Sequence, residues 1–379
     1  MEFKILLASA SPLKRDAIIA YFRSNYPTIK PLITCVDCDP CNLPPQPINC
    51  GEYCTYQRSK YAMKNTTTQH DMVIAIENDL QNNNGIYYDR AHVRVEMGGL
   101  VGTGMSKPIF CPINGKDIEG SEIVFSNKIR GHHTTGGELM KKTFGYDPKN
   151  WMKHTAMIDR VDQIIDSLTV AFNDLRTNIN NCHKIAQSYT TYPNFPKEGV
   201  AFKYFYSLFV NRTNMEHLGK ILQSKYTAYE IDAVLPLESR GLVLGALLAD
   251  RLQVSMIPMQ KPGKIPGESI SVAYTKEYGT DEIQASVDLF SMLMTKKKKF
   301  YRFMVVDDLV ASGGSVESVL KILEMVASKY EIEYEVVVLT LDEVAPLRET
   351  AMAKLKIDYD VLFRNIDDTY KKMASLTKN

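Results

Sequence analysis

Net charge is nearly absent from this chain: 45 lysines and arginines stand against 44 aspartates and glutamates, leaving +1. A surface so balanced exerts no long-range pull on nucleic acid or on an anionic membrane, so neither is expected as a partner. Any phosphate chemistry must be local to a pocket. Long apolar runs are missing too. None approaches the roughly 18 residues of a membrane-crossing helix, and no charged-then-apolar leader opens the chain. "MEFKILLASAS" reads as a first strand, and the expected compartment is the cytoplasm. Tryptophan occurs once, and the adjacent His132 and His133 lack metal-ligand spacing.

Cysteine is not scarce but crowded. Five of the seven fall in one segment, at Cys35, Cys38, Cys41, Cys50 and Cys54. The C-x2-C-x2-C spacing of the first three is that of some zinc and iron–sulfur sites. A fourth ligand at short spacing is missing, and Pro40, Pro44, Pro45 and Pro47 interrupt the segment. Reduced thiols, partly packed on a strand and a loop, are the expectation.

The two halves differ in pattern. In the first, "FKILLA" (3–8) is a strand, and a polar turn at 9–12 leads into an amphipathic helix. "DMVIAIEN" (71–78) is a second apolar run, and "YYDRAHVRVEM" (87–97) alternates as an antiparallel strand does. "RVDQIIDSLTVAFNDL" (160–175) predicts an amphipathic helix, and the polar "RTNINN" (176–181) a linker. This divides the chain into domains 1–176 and 177–379. The second half alternates apolar β-branched strands (231–237, 303–308, 334–341) with helices (240–252, 315–330), the pattern of a parallel sheet covered on both faces.

"FMVVDDLVASGGSVES" (303–318) carries the clearest chemistry. Asp307 and Asp308 fall where a strand of an open α/β sheet ends, the place where such sheets bind ligands. The following turn, Ala311, Ser312, Gly313, Gly314 and Ser315, leads into a helix. Its glycines permit close backbone approach, and its amides with the helix N-terminus make an anion cradle. The lysine of an ATP-type P-loop is missing. A phosphate beside hydroxyls fits this set: donors for the phosphate, carboxylates for the hydroxyls or for a hydrated Mg2+.

"VVDDLVASGGS" resembles the phosphoribosyl pyrophosphate (PRPP) motif of the type I phosphoribosyltransferases, and further segments resemble adenine phosphoribosyltransferase. These are "YPNFPKEGVAFK" (192–203), "LPLESRGLVLGALLA" (235–249), "QKPGKIPGE" (260–268), "YTKEYGTDEIQ" (274–284) and "LTLDEVAPLRETAMAKL" (339–355). The resemblance implies transfer of phosphoribosyl from PRPP to a purine base, adenine foremost, in a Mg2+-dependent homodimer. It assigns Ala311 to Ser315 to the 5′-phosphate and Asp307 and Asp308 to the ribose hydroxyls. Ser239, Arg240, Lys261 and Lys264 go to the pyrophosphate, and Glu277 becomes a loop carboxylate near the base. Phe202 would stack on adenine, with the Lys203 backbone helping to read its edge. Where the family usually has threonines this chain has Ser312 and Ser315, and Gln260, Pro262 and Lys203 replace basic residues.

The first half resembles the inosine/xanthosine triphosphatases in "LLASASPLKRDAI" (6–18), "LPPQPINCGEYCTYQRSKYAMK" (43–64) and "VIAIENDL" (73–80). That resemblance implies a triphosphate grip from Ser9, Ser11, Lys14 and Arg58, magnesium carboxylates Glu52 and Glu77, and ITP or XTP as substrate. It departs from the family at Ser11, which replaces an asparagine, and at 146–160, where a glycine-rich hairpin is usual. The expected fold is therefore α/β in two domains: an N-terminal mixed α/β NTP-phosphatase-like domain and a C-terminal type I phosphoribosyltransferase domain with a central parallel sheet. Two competing readings stand beside the bifunctional enzyme. One is a PRPP- or nucleotide-sensing regulator without catalysis. The other is an active transferase carrying the first domain as a scaffold.

Overall fold

The computed structural model of the chain describes residues 2–41, 43–113, 122–124, 129–195, 198–199, 201–276, 279–295 and 298–377. They form two compact units, one of residues 1–179 with 368–379, the other of residues 180–367. Among the described residues, no helix is long and apolar enough to cross a membrane.

The first unit starts with β1 (Glu2–Leu7), α1 (Pro12–Asn25) and β2 (Lys30–Cys35), followed by β3 (Gln46–Ile48) and α2 (Gly51–Lys64). Four longer or shorter strands come next: β4 (Met72–Asn83), β5 (Ile86–Met97), β6 (Leu100–Met105) and β7 (Ile109–Cys111). Two short strands, β8 (Glu122–Val124) and β9 (Arg130–His132), precede α3 (Gly136–Phe144), α4 (Met152–Ala156) and α5 (Arg160–Gln187). The sheet is mixed. β1 is parallel to β2 and β4, whereas β5 is antiparallel to β4, β6 and β7, as its alternation predicts. An aromatic cluster of Phe3, Tyr21, Phe22, Tyr26 and Phe172, all buried, seats α1 and α5 on the sheet.

The predicted linker 176–181 is helix, the continuation of α5. Thr177 faces outward and Asn178 is buried with its Nδ2 donating to the Val101 carbonyl at 2.9 Å, while Leu175, Ile179, Cys182 and Ile185 continue a buried stripe at intervals of three and four. That spacing lies on one helical face, and burial of such a stripe outweighs the low helix propensity of asparagine and threonine. The seven cysteines are all free thiols. Among the described residues, no cluster of three His, Cys, Asp or Glu side chains could hold a metal ion.

The second unit opens with a hairpin of β10 (Thr190–Pro193) and β11 (Ala201–Tyr204), then α6 (Arg212–Tyr226). β12 (Ala233–Pro236), α7 (Arg240–Leu252) and β13 (Ser255–Met256) follow, then the hairpin of β14 (Ser269–Lys276) and β15 (Gly279–Ser286) and α8 (Val287–Met294). β16 (Phe300–Val310), α9 (Gly314–Tyr330), β17 (Glu333–Glu343), α10 (Arg348–Leu355) and β18 (Asp360–Val361) complete this unit, and α11 (Ile366–Thr377), all but its first two residues, belongs to the first unit. The five-stranded sheet has the order β13-β12-β16-β17-β18, with every pair parallel. Its core is largely aliphatic, with Leu235, Val305, Val319, Ile322 and Val338 buried beside the rings of Phe290, Tyr301 and Phe303. Each such side chain contributes about 1.5–3 kcal/mol through burial. Because all strands run one way, Leu237, Asp307 and Asp342 arrive together at the carboxyl edge.

Candidate active site

Two pockets open at that edge. The larger, about 460 Å³, is lined by the turn 311–315 together with Glu238, Arg240, Lys261, Asp307 and Asp308. Gly313 has φ of +81°, and a Cβ there would lie 3.3 Å from Leu355 Cγ, so conformation and space both favour glycine. From this left-handed residue the chain enters α9 at Gly314. The arrangement aims the first amides of a 17-residue helix into the pocket, the classical position for an anion.

Asp307 and Asp308 stand opposite this cradle. The Asp308 amide donates to Asp307 Oδ1 at 2.9 Å, and Arg240 Nη1 lies 3.1 Å from Asp308 Oδ2. Burial and the neighbouring Asp308 charge push the Asp307 carboxyl well above the usual range. Burial also raises Asp308, with the Arg240 guanidinium working against it. The pair is thus short of positive partners, a state that hydroxyl donors or a cation would relieve. Gly241 is required beside it, since a Cβ there would lie 2.7 Å from the Val306 carbonyl. The close approach of α7 to β16 is what brings Arg240 onto Asp308.

The second pocket, about 310 Å³, shares Arg240, Asp308 and Leu309 with the first and adds Tyr189, Phe202, Lys203 and Asp342. The Arg240 guanidinium lies 5.8 Å from the centre of the Phe202 ring. Lys203 Nζ pairs with Asp342 Oδ2 at 2.5 Å and sits 5.6 Å from the Tyr189 ring. Burial pushes the Tyr189 phenol up, keeping it a neutral donor. One pocket is rich in amides and charge, the other is walled by aromatic rings, and Arg240 is the partition.

The two loop lysines are both engaged. Lys261 Nζ pairs with Asp281 and reaches Tyr274 Oη at 3.1 Å. Lys264 Nζ pairs with Glu238, whose other oxygen accepts the Lys261 amide at 2.9 Å. Burial works to raise Glu238, but these bonds hold it below the usual range. Ser239 is exposed at the pocket mouth, next to a cis Glu238–Ser239 peptide. Sequence reasoning missed Tyr189, Glu238, Tyr274, Asp281 and Asp342. For Glu238 and Asp342 a signal was present, an acid directly at the end of an apolar strand. Glu277 lies outside the described residues.

In the first unit, Lys14, Arg58 and Glu77 converge. Arg58 Nε pairs with one Glu77 oxygen, and Lys14 Nζ lies 3.8 Å from the other while donating to the Ile76 carbonyl at 2.7 Å. Burial lowers Lys14. Burial would raise Glu77, yet the two cations hold it below the usual range. Ser9 is buried and accepts the Ser11 amide at 3.2 Å; Ser11 precedes α1 with no side-chain cap bond. Glu52, on the first turn of α2, has no side-chain bond to any of these among the described residues. Behind this group runs a buried polar network. Asp79 accepts the Gly51 amide at 3.0 Å and meets His92 Nε2 at 2.9 Å, and Asn78 Nδ2 donates to Asp89 at 2.7 Å.

Comparison with known proteins agrees with the second unit. The family profile described as "Phosphoribosyl transferase domain" matches residues 210–371. An adenine phosphoribosyltransferase from Clostridium beijerinckii is 38% identical over 173 residues, 45% of this chain and 90% of that protein. One from Wolinella succinogenes is 36% identical over 132 residues, 35% of this chain and 70% of that protein. The crystal structure of adenine phosphoribosyltransferase from Saccharomyces cerevisiae, complexed with an imino-altritol bisphosphate and adenine, is 28% identical with a TM-score of 0.41. It covers 48% of this chain and 98% of that one.

Proposed function

The chain belongs, through its C-terminal half, to the adenine phosphoribosyltransferases, and we propose that this half transfers phosphoribosyl from PRPP to adenine, giving AMP and pyrophosphate. The observation that carries the reading is the pair of pockets joined at Arg240. The amide-rich pocket suits a 5′-phosphate and ribose, and the aromatic one suits a planar base. Ala311 to Ser315 bind the phosphate, each charge-assisted bond contributing about 1.5–3 kcal/mol. Asp307 and Asp308 accept the ribose hydroxyls. Arg240, together with Ser239 and the lysines at 261 and 264, takes up charge on the departing pyrophosphate. Phe202 and Tyr189 exclude water from the base side and orient the ring against the anomeric carbon. Glu277, the carboxylate that the family resemblance places near the base, is proposed to manage the proton of the base.

Mg2+ fits this donor set. The protein offers two carboxylates short of cations, and Mg2+ typically takes one or two carboxylates and fills its remaining positions from water and phosphate. Asp307 and Asp308 would hold it, and it would neutralise pyrophosphate charge. The test is nucleoside monophosphate formation by the full chain from PRPP with adenine, hypoxanthine or guanine, which would give AMP, IMP or GMP. AMP from adenine alone or foremost supports the reading. PRPP binding without product from any base would leave the sensing regulator in its place.

For the first unit we propose hydrolysis of ITP or XTP, favoured by the convergence of Lys14 and Arg58 on Glu77. A triphosphate would draw both cations from Glu77 and so free a carboxylate for Mg2+. Diphosphate or monophosphate release from ITP by the full chain, lost in Lys14→Ala, supports it. No turnover of ITP or XTP leaves a scaffold unit.

A further inference from the structure

A third pocket, about 360 Å³, lies in the first unit and shares no residue with the sites above. It forms where the end of α1 meets the middle of α5. Tyr21, Asn25, Tyr26, Thr169, Asn173 and Arg176 line it, and among the described residues Arg176 is its one charged lining residue. The arginine is partly buried, and its Nη2 donates to Tyr26 Oη at 2.8 Å. Its Nε is buried with no hydrogen-bond partner among the described residues. No carboxylate pairs with it among the described residues, in a protein where Arg58, Arg94, Arg160, Arg240, Arg302 and Arg364 each have one.

A guanidinium withdrawn from water without a counter-ion is unfavourable unless an anion completes it. Its planar fork matches a carboxylate or phosphate face. The neighbours suit the same partner, since two amides and two phenols line the pocket and none brings negative charge. The wall is rigid, because the Tyr21 ring packs 4.8 Å from Phe172 and Tyr26 closes the cluster. We propose that this pocket is a binding site for a small oxyanion, a carboxylate or phosphate ester, held by Arg176 with Tyr26, Asn25 and Asn173.

The probe is inorganic phosphate, read by hydrogen exchange on the full chain, with citrate as a second arm. Phosphate should slow exchange in peptides covering 20–28 and 168–177. Asn173→Asp, an exposed change that sets a carboxylate beside the guanidinium, should raise the half-saturating concentration by about tenfold or more. Arg176→Gln should do the same, and Arg176→Lys should recover part of the effect. Protection of 311–318 by the same phosphate should be unchanged in all three, which separates this site from the cradle of the second unit. Protection by phosphate but not citrate assigns the site to phosphate esters, and protection by both assigns it to oxyanions generally. Unaltered exchange at 20–28 and 168–177 in the wild type overturns the proposal. So does protection that persists in both Asn173→Asp and Arg176→Gln.

Discussion

The two units treat their buried acids in opposite ways. In the second, Asp307 and Asp308 share one guanidinium between two carboxyls and rise above the usual carboxylate range. In the first, Glu77 has two cations to itself and falls below that range. A group left short of partners is open to a ligand as it stands, whereas a group already satisfied holds the resting fold together and must give up its cations before it can take a metal. Both are costly arrangements in isolation; a substrate relieves the former directly, whereas at the latter it has to compete with Glu77 for the two cations.

The sharpest way to break this contrast is to neutralise one acid in each unit. Asp308→Asn should lower kcat/KM for AMP formation by about 100- to 1000-fold, as loss of one charged site group does, while leaving thermal stability equal or higher. Glu77→Gln should instead destabilise the first unit by about 3–5 kcal/mol, because Lys14 and Arg58 are left buried against an uncharged amide. Steady-state kinetics and denaturant unfolding of both variants check the pair. Equal stability loss in the two would erase the distinction.

Acidity gives a second, smaller handle. Asp307 stays protonated in the folded chain above the pH at which the unfolded chain ionises it. Its contribution to stability therefore declines as pH rises from the ordinary carboxylate range through its own raised value. Glu77 runs the other way. Its stabilisation is full above the unfolded value and is lost as pH falls through its depressed one. Unfolding midpoints against pH should thus steepen on the acid side because of Glu77 and flatten toward neutrality in Asp307→Asn. The smallest effect concerns the loop lysine. Asp281→Asn should free Lys261 and reduce KM for PRPP about threefold with kcat nearly unchanged, in line with the modest strength of part-exposed pairs.

What the sequence revealed of the second unit was local in sequence. An apolar strand, two acids, two glycines and a helix follow one another within sixteen residues, so the cradle and Asp307 and Asp308 were legible. The acids that hold the lysines were not, because tertiary pairing delivers them. Lys261 meets Asp281 through the register that sets Tyr274 opposite Asp281 in the β14–β15 hairpin. Tyr189 joins the base-side pocket from a position just beyond the end of α5, with no motif around it. In the first unit Lys14, Arg58 and Glu77 were each legible through the segments that resemble the triphosphatases. Their mutual pairing was not, since it depends on α1, α2 and β4 packing together. The misread linker at 176–181 shows the converse failure, where polar composition hid a buried stripe.

The last helix has a consequence for biosynthesis. Residues 368–379 are part of the first unit: Met373 and Leu376 are buried, Lys372 pairs with Asp71, and Thr369 lies against Gly98. The ribosome therefore releases this piece only after residues 180–367 have been made. At about 5–20 residues per second, the nascent first unit waits roughly 10–40 s for its closing helix. During that interval the surface of Met373 and Leu376 has no counterpart, and premature termination anywhere in the transferase would leave both units unfinished.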